Sequence, residues 1–448
     1  MNAMTLDSDQ RLLASGAQAG SAADLTVHLA VHGALNIPAG DQPNWRAGIL
    51  AAIDGSGLLG RGGAGFRSAA KWRAVERDTQ PMVRGSRSPM VRGSRSPMVV
   101  VNAMEGEPAS AKDRVLLTDA PHLVLDGAEV AAAVVGASEI VVCVPDHARS
   151  PAASIEAAIV QRRSAGHRRA RVSVQRPPGR YVTGEESALV GWLDKRCALP
   201  VLRVDKSVPM SVGRRPVLLH NAETLAQVAL IARHGPEWFR RLGSADAPGS
   251  TLVTVSGAVV IPGVVEVELG TPVADIVNRA GVEAELSAVL LGGYGGAWID
   301  ASRLSTPYAP APLAAVGATL GVGVVIALPS TSCGIAETAR VVRYMAGESA
   351  GQCGPCVFGL PAIADDLELL WAGRTDERVL ERIERRARQV EGRGACRHPD
   401  GVVRLVRSAM SVFAADARDH ARGHPCSGSM AGSVLTAPPT GVADRRAS

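Results

Sequence analysis

The chain has 448 residues, 46% hydrophobic and 20% charged, a globular composition on a chain too long for one compact core. Aromatics make up 3% and the net charge is +5, which argues against a stacking platform for single strands or a basic duplex-binding face, so no nucleic-acid partner is expected. No apolar run is long enough to span a bilayer, and no basic region with a long apolar core opens the chain, so neither membrane insertion nor a secretory leader is expected.

Residues 1–44 lack sustained periodicity and are expected to be a loose leader. From 45 to 245 short apolar runs alternate with amphipathic segments. "MVVVNAM" (98–104) and "EIVVCVP" (139–145) read as buried strands, while 122–136 and 154–163 read as helices. This alternation predicts an α/β layer with a mostly parallel sheet. Inside it "PMVRGSRS" at 81–88 recurs at 89–96. The unit is too short for a solenoid, so a duplication tolerated in a basic surface loop is expected.

Between 246 and 332 the rhythm changes. "STLVTVSGAVVIPGVVEVELG" reads as two β runs around a Pro-Gly turn, "TPVADIVNRAG" as a short helix capped by Thr271, and "AVLLGGYGGAWI" as a further strand. A ββαβ unit of this size predicts a small β-grasp-like domain. Residues 333–421 carry helical periodicity, as at Ile335, Ala339, Val342 and Ala346, and predict a helical bundle. The Gly-, Ser- and Pro-rich segment 422–448 is expected to be a disordered tail. Seven cysteines (143, 197, 333, 353, 356, 396 and 426), without a leader, favour reduced thiols and metal ligands over disulfides, and a cytoplasmic location.

Four segments carry candidate chemistry. "GRGGAGF" offers Gly60, Gly62 and Gly63 with Arg61 before a helix bearing Lys71. Glycines let peptide N–H groups approach a phosphate, and a helix start adds positive potential; a plain flexible turn is the alternative. "VVVNAMEGEP" places Asn102, Glu105 and Glu107 just after a strand, where open α/β sheets bind ligands; a solvated acidic loop is the alternative. "YVTGEESALVGWL" puts Gly184, Glu185 and Glu186 at a helix start, where acids also simply favour the macrodipole. "HNAETLAQ" offers Asn221 and Thr224, for ligand contact or for capping.

Taken in order, G-R-G-G-A-G-F, K-W, V-N-A-x-E-x-E-P, Y-x-x-G-E-E-x-A-L, N-x-E-T and C-x-x-C with a distant Cys396 resemble one family over residues 45 to 415. It is the flavin- and NADH-binding flavoprotein of NADH–quinone oxidoreductase (complex I, the F-type or 51 kDa subunit), with the diaphorase subunits of NAD-dependent hydrogenases and formate dehydrogenases. The resemblance implies a Rossmann-like FMN domain, a β-grasp domain of the SLBB type and a helical bundle carrying a [4Fe–4S] cluster. It implies NADH dehydrogenase chemistry: hydride from NAD(P)H to FMN, then single electrons to an iron–sulfur cluster or a partner, either a ferredoxin-like protein or an E-type complex I subunit. The protein would be cytoplasmic or peripheral to a membrane complex. FMN contacts carried over by motif are Gly60, Arg61, Gly62, Gly63, Lys71, Asn102, Glu105, Gly184, Glu185, Asn221 and Thr224. NADH contacts are Phe66, Glu107 and Glu186, and iron ligands are Cys353, Cys356 and Cys396.

The chain also departs from the family pattern. Met104 stands where the family has Asp, Lys206 and Ala74 stand where it has aromatic residues, and Ala350 stands where it has the first cluster cysteine. Three readings follow for the cysteines. They hold a [3Fe–4S] cluster, or a [4Fe–4S] cluster completed by Cys333, His398 or water; they hold no cluster; or they bind zinc with Cys and His ligands. The same departures motivate the alternative of a degenerate flavin-binding subunit with a structural or assembly role.

Overall fold

The computed structural model describes residues 10–14, 23–40, 42–79, 96–167, 169–205 and 207–436. The duplicated loop, apart from Ser96, and Lys206 lie outside the described residues.

The chain opens with helices α1 (Leu25–His32), α2 (Pro43–Ser56) and α3 (Ser68–Thr79). An alternating segment follows: β1 (Met98–Asn102), α4 (Lys112–Asp119), α5 (Pro121–Val135), β2 (Glu139–Cys143), α6 (Arg149–Ser164), β3 (Arg171–Gln175), α7 (Glu186–Lys195), β4 (Ser211–Val212), β5 (Arg215–Asn221) and α8 (Ala222–Phe239). Its strands form a sheet of order β3-β2-β1-β5-β4, parallel except for the short edge strand β4. Along β1, Val99 and Val101 face the core under α5 and α8, while Met98 and Val100 face Leu189 and Val190 of α7. Both faces are therefore covered, which is why β1 reads as a continuous apolar run rather than an alternation. The order places a topological switch between β1 and β5, whose last residues Asn102 and Asn221 are register partners. Ligands of open parallel sheets bind at the carboxyl ends of strands beside such a switch.

The second sheet comes from β6 (Ser250–Gly257), β7 (Gly263–Glu268), β8 (Leu286–Leu291), β9 (Ala297–Asp300) and β10 (Val324–Pro329), in order β7-β6-β10-β8-β9, with α9 (Val273–Arg279) and α10 (Pro310–Ala315) between strands. Only the β6–β10 pairing is parallel. Alternation divides its residues between two cores. Val325 and Ala327 face α9 and α10, while Val324, Ile326 and Leu328 face helices α11 (Gly334–Gly347), α12 (Leu360–Trp371), α13 (Arg378–Val390), α14 (His398–Val412) and α15 (Ala414–Ala421).

The expected strands and helices occur, with four local differences. Residues 288–299, expected as a single strand, form the antiparallel hairpin of β8 and β9, turning at 292–296. Thr271 does not cap α9: Pro272 holds the cap position, so Thr271 falls outside the helix and its hydroxyl donates to Glu268 O (2.8 Å). The leader is not loose throughout, since Leu12 and Leu13 are buried and Glu266 Oε2 accepts from their segment at Arg11 N (2.8 Å) and Leu12 N (2.7 Å). Part of 422–436, expected within the tail, is anchored: Gly428, Ser429 and Leu435 are buried while most of the segment is exposed. Glu337 accepts from Val434 N and Leu435 N (both 3.1 Å). In the last two cases a carboxylate, partly buried in Glu266 and buried in Glu337, supplies an anchor that lies far away in sequence.

Candidate functional site

The glycine loop leaves α2 and is pinched at its neck. Leu59 bridges Arg67, and Gly60 N donates to Phe66 O (2.7 Å). Gly63 sits at φ +95°, a conformation that a side chain would strain. Residues 62–67 are exposed, and Phe66 keeps 45% of its surface. The loop ends where α3 begins, and α3 carries Lys71.

Hydrogen bonds draw the other expected residues to this loop. Arg61 N donates to Thr224 Oγ1 (2.9 Å) in the first turn of α8. Asn221 caps α8 through Glu223 N (3.0 Å) and donates to Asn102 O (3.2 Å). Asn102 Nδ2 donates to Gly184 O (2.9 Å). Lys71 contacts the Glu186 carboxylate at the start of α7. Burial first, and the Arg203 guanidinium second, hold the Lys71 ammonium down at about 8. Thus Gly60–Phe66, Lys71, Asn102, Gly184, Glu186, Asn221 and Thr224 gather at one end of the parallel sheet, beside the switch.

Four expected contacts lie differently. The Arg61 side chain turns inward: Nη2 donates to Ser250 O of β6 (2.9 Å), and Nε lies 3.9 Å from Glu223. Glu105 closes the start of α4, accepting from Asp113 N (3.0 Å), Arg114 N (3.1 Å) and Ser110 Oγ (2.7 Å). Glu107 is buried, accepting from Tyr294 N (2.8 Å), Ala109 N (3.3 Å) and Tyr181 Oη (3.4 Å). Burial pushes its carboxyl up to about 7. Glu185 caps α7 through Ser187 N (2.9 Å) and Ala188 N (3.0 Å). These carboxylates are committed to peptide N–H groups: for Glu185 this is the helix-start alternative, while Glu105 and Glu107 anchor the start of α4 and the turn at Tyr294.

One buried group escaped the sequence reading. Lys112 contacts Asp113 (2.8 Å), Glu223 (3.0 Å) and Asn221 Oδ1 (3.2 Å) directly behind the strand ends. Burial works against its ammonium, but Asp113 and Glu223 outweigh it and raise its affinity for the proton. Its only sequence signal is a Lys-Asp pair soon after V-N-A-x-E-x-E-P.

Three cysteines meet where the C-terminal helices approach Val182 and Pro200, on either side of α7. Cys353, Cys356 and Cys396 line one recess with Ala350, Ser349, Val182, Pro200 and His398. A single wide helical turn over Pro355–Gly359 carries Cys356 into α12. Burial raises the thiols of Cys356, to about 12, and of Cys396. His398 Nε2 lies 2.9 Å from Met345 O, which can only accept, so the ring proton sits there. Its Nδ1 is buried and has no hydrogen-bond partner. Cys333 lines no part of the recess. It lies instead by His420 and Cys426, and among the described residues this trio, not Cys353, Cys356 and Cys396, brings its ligand atoms within 4.8 Å of one another. Zinc thiolates at about 2.3 Å from one ion lie about 3.8 Å apart, so the recess trio lacks the spacing of a mononuclear zinc site.

Residues 53–230 match the family described as the Nuo51 FMN-binding domain. Residues 336–420 match the NADH-ubiquinone oxidoreductase-F iron-sulfur binding region. The chain is 29% identical over 391 residues to an F-type subunit (F 2) of the NADH-quinone oxidoreductase of Rhizobium meliloti, covering 84% of this chain and 90% of that one. It is 27% identical over 381 residues to the corresponding F-type protein of Escherichia coli, covering 82% of each. A chain in the crystal structure of an NAD+-reducing [NiFe]-hydrogenase in the H2-reduced state superposes with a TM-score of 0.75 at 30% identity, over 85% of this chain. The present chain spans 63% of the length of that hydrogenase chain.

Proposed function

The chain belongs to the F-type flavoprotein family of NADH–quinone oxidoreductases, and on that premise we propose that it oxidises a nicotinamide dinucleotide at FMN and passes the electrons singly to an iron–sulfur centre and a partner. FMN, when bound, supplies the conversion between hydride and single-electron transfer. The protein's part is to hold and orient the reactants. The observation that carries the reading is the gathering of the glycine loop, Lys71, Asn102, Gly184, Asn221 and Thr224 at the switch between β1 and β5.

In this reading the peptide edges of Gly60–Gly63 and the start of α3 receive phosphate, helped by Lys71. Asn102 presents its amide to the flavin's polar chain, Asn221 holds Asn102 and the start of α8 in place, and Gly184, where a Cβ would stand 2.8 Å from Met104 O, lets the turn before α7 close on that strand end. Exposed Phe66 offers the nicotinamide dinucleotide a stacking face, and Glu186, paired with Lys71, offers it a carboxylate. Arg61, Glu105, Glu107 and Glu185 act behind the site, as posts that fix the loop, α4 and α7. We assign FMN to residues 45–245, a β-grasp fold of the SLBB type to 246–332 and the iron–sulfur region to the helices of 333–421.

The recess fits a cluster, with a changed donor set. Three thiols converge on it, and the unpartnered His398 Nδ1 is the fourth donor at the place where Ala350 has none. Imidazole in place of thiolate raises the potential of an iron–sulfur centre. Phe358, 76% exposed beside Cys356, and exposed Val201, Leu202 and Val204 next to Pro200 give an apolar face. A ferredoxin-like or E-type electron-accepting subunit suits it. No helix among the described residues is long and apolar enough to cross a membrane, which suits a peripheral subunit.

Anaerobically purified protein tests this by its absorbance spectrum and iron content, before and after NADH. About one FMN per chain, bleached by NADH, is the expected result. Flavin that binds but stays oxidised would overturn the dehydrogenase reading in favour of the structural-subunit alternative, and no bound flavin would overturn the site itself.

A further inference from the structure

Away from the flavin end and the cysteine recess, three residues from distant parts of the chain meet. Cys333 precedes α11, His420 lies in α15, and Cys426 follows the turn after it. Cys333 Sγ is 3.7 Å from His420 Nε2, and the two sulfurs and that nitrogen all lie within 4.8 Å of one another. Cys333 and His420 are buried, while Cys426 is partly exposed.

The ring's other nitrogen decides what this group can do. His420 Nδ1 lies 3.1 Å from Trp371 O and 3.3 Å from Leu370 O, at the end of α12. Carbonyls only accept, so the ring proton is on Nδ1 and the Nε2 lone pair faces the sulfurs. A metal-binding imidazole is held in this way, its outer N–H fixed by a carbonyl. Cys333 Sγ also accepts from Ala336 N (3.3 Å) in the first turn of α11, which fixes the position of the sulfur.

We propose that Cys333, His420 and Cys426 bind a zinc ion. A tetrahedral ion at about 2.3 Å from sulfur and about 2.0 Å from nitrogen sets those ligands about 3.5 Å apart, and the observed 3.7 Å between Cys333 and His420 is close to it. Two thiolates and one imidazole suit zinc over magnesium or calcium, which take oxygen ligands. The fourth position opens toward solvent at Cys426 and takes water. Binding replaces one contact, the Cys426 N–H to His420 Nε2 at 3.1 Å. Without the ion, that contact and the two carbonyls make His420 an ordinary satisfied core histidine. Zinc has no redox chemistry, so the site is a clasp. It ties the turn after α15 to the start of α11 and the end of α12. Gly428 already presses on this place, since a side chain there would meet Thr331 O at 2.6 Å.

The test measures zinc and iron per chain on the full-length protein purified without chelator. The expected result is about one zinc per chain, falling at least tenfold in Cys333→Ser/Cys426→Ser and staying in Cys353→Ser/Cys356→Ser/Cys396→Ser, which loses only iron. Zinc removal should also make Cys333 and Cys426 newly reactive to alkylation in the unaltered chain, mapped by peptide mass. That reading stands even if the double variant fails to fold. No zinc, zinc unchanged in the double variant, or a Cys333–Cys426 disulfide in the intact mass overturns the proposal. Flavin content, read in the same samples, reports separately on the proposed function.

Discussion

Trp72 and His220, far apart in sequence, settle one buried hydrogen bond between them. The indole Nε1 donates to His220 Nε2 (2.8 Å), with Trp72 fully buried and His220 4% exposed. Burial, aided by Lys71, holds the imidazole well below its ordinary proton affinity, so it stays a neutral acceptor. His220→Ala is expected to leave the indole N–H unpaired and to cost about 1–3 kcal/mol, read by denaturant unfolding. A loss within error would show that water replaces the imidazole. Glu107 makes a pH-dependent contribution. Its folded carboxyl titrates near 7 against an ordinary value of 4.5, so the folded state holds its proton more tightly. Its stabilising contribution is complete below about 4.5 and is lost as pH rises toward 7, at up to about 1.4 kcal/mol per pH unit. Glu107→Gln should flatten the fall in Tm between pH 5 and 7; an unchanged slope would assign it to other groups, such as Glu266, also raised to about 7. Neither partnership is legible in the sequence, because each joins side chains many positions apart, or an acid to a peptide N–H of another domain.

Elements are legible where periodicity and end signals agree. The buried strands β1 and β2 and the helices α5, α6 and α11 fall where apolar spacing places them, because a covered parallel strand and an amphipathic helix impose different periods. Contacts between elements leave no such signal. The packing of α5 against α8 turns on Gly127, where a Cβ would stand 1.8 Å from Leu225 O. Gly127→Ala is expected to force the two helices apart and to destabilise by about 1–3 kcal/mol, measured as a shift in unfolding midpoint with unchanged m-value. Since α8 begins at Asn221 and Thr224, flavin affinity should fall with it. A glycine inside a helical run gives only a general warning of close approach, not the partner.

For the whole molecule, the boundary expected near residue 246 is not a break in packing. Leu252 and Val264 of the second sheet belong to the same apolar core as α5 and α8. Arg61 crosses the joint from the glycine loop to Ser250 O, beside Glu223. Arg61→Met should therefore act on both parts, lowering global stability by about 1–3 kcal/mol as the buried Ser250 O loses its donor while Glu223 keeps Lys112, and releasing flavin at lower temperature. Thermal unfolding followed together with flavin release checks this; stability kept with flavin lost would return Arg61 to a direct ligand role. The order of the motifs, the kinds of elements and the family are properties of the sequence alone, because they depend on local spacing along one chain. Which carboxylates are committed to peptide N–H groups, that Cys333 sits with His420 and Cys426 rather than in the recess, and that His398, its Nδ1 unpartnered, lines the same recess as Ala350 were decided only by the tertiary structure. Those outcomes depend on which distant peptide groups and side chains compete for the same donors and acceptors, and spacing along the chain carries no record of that competition.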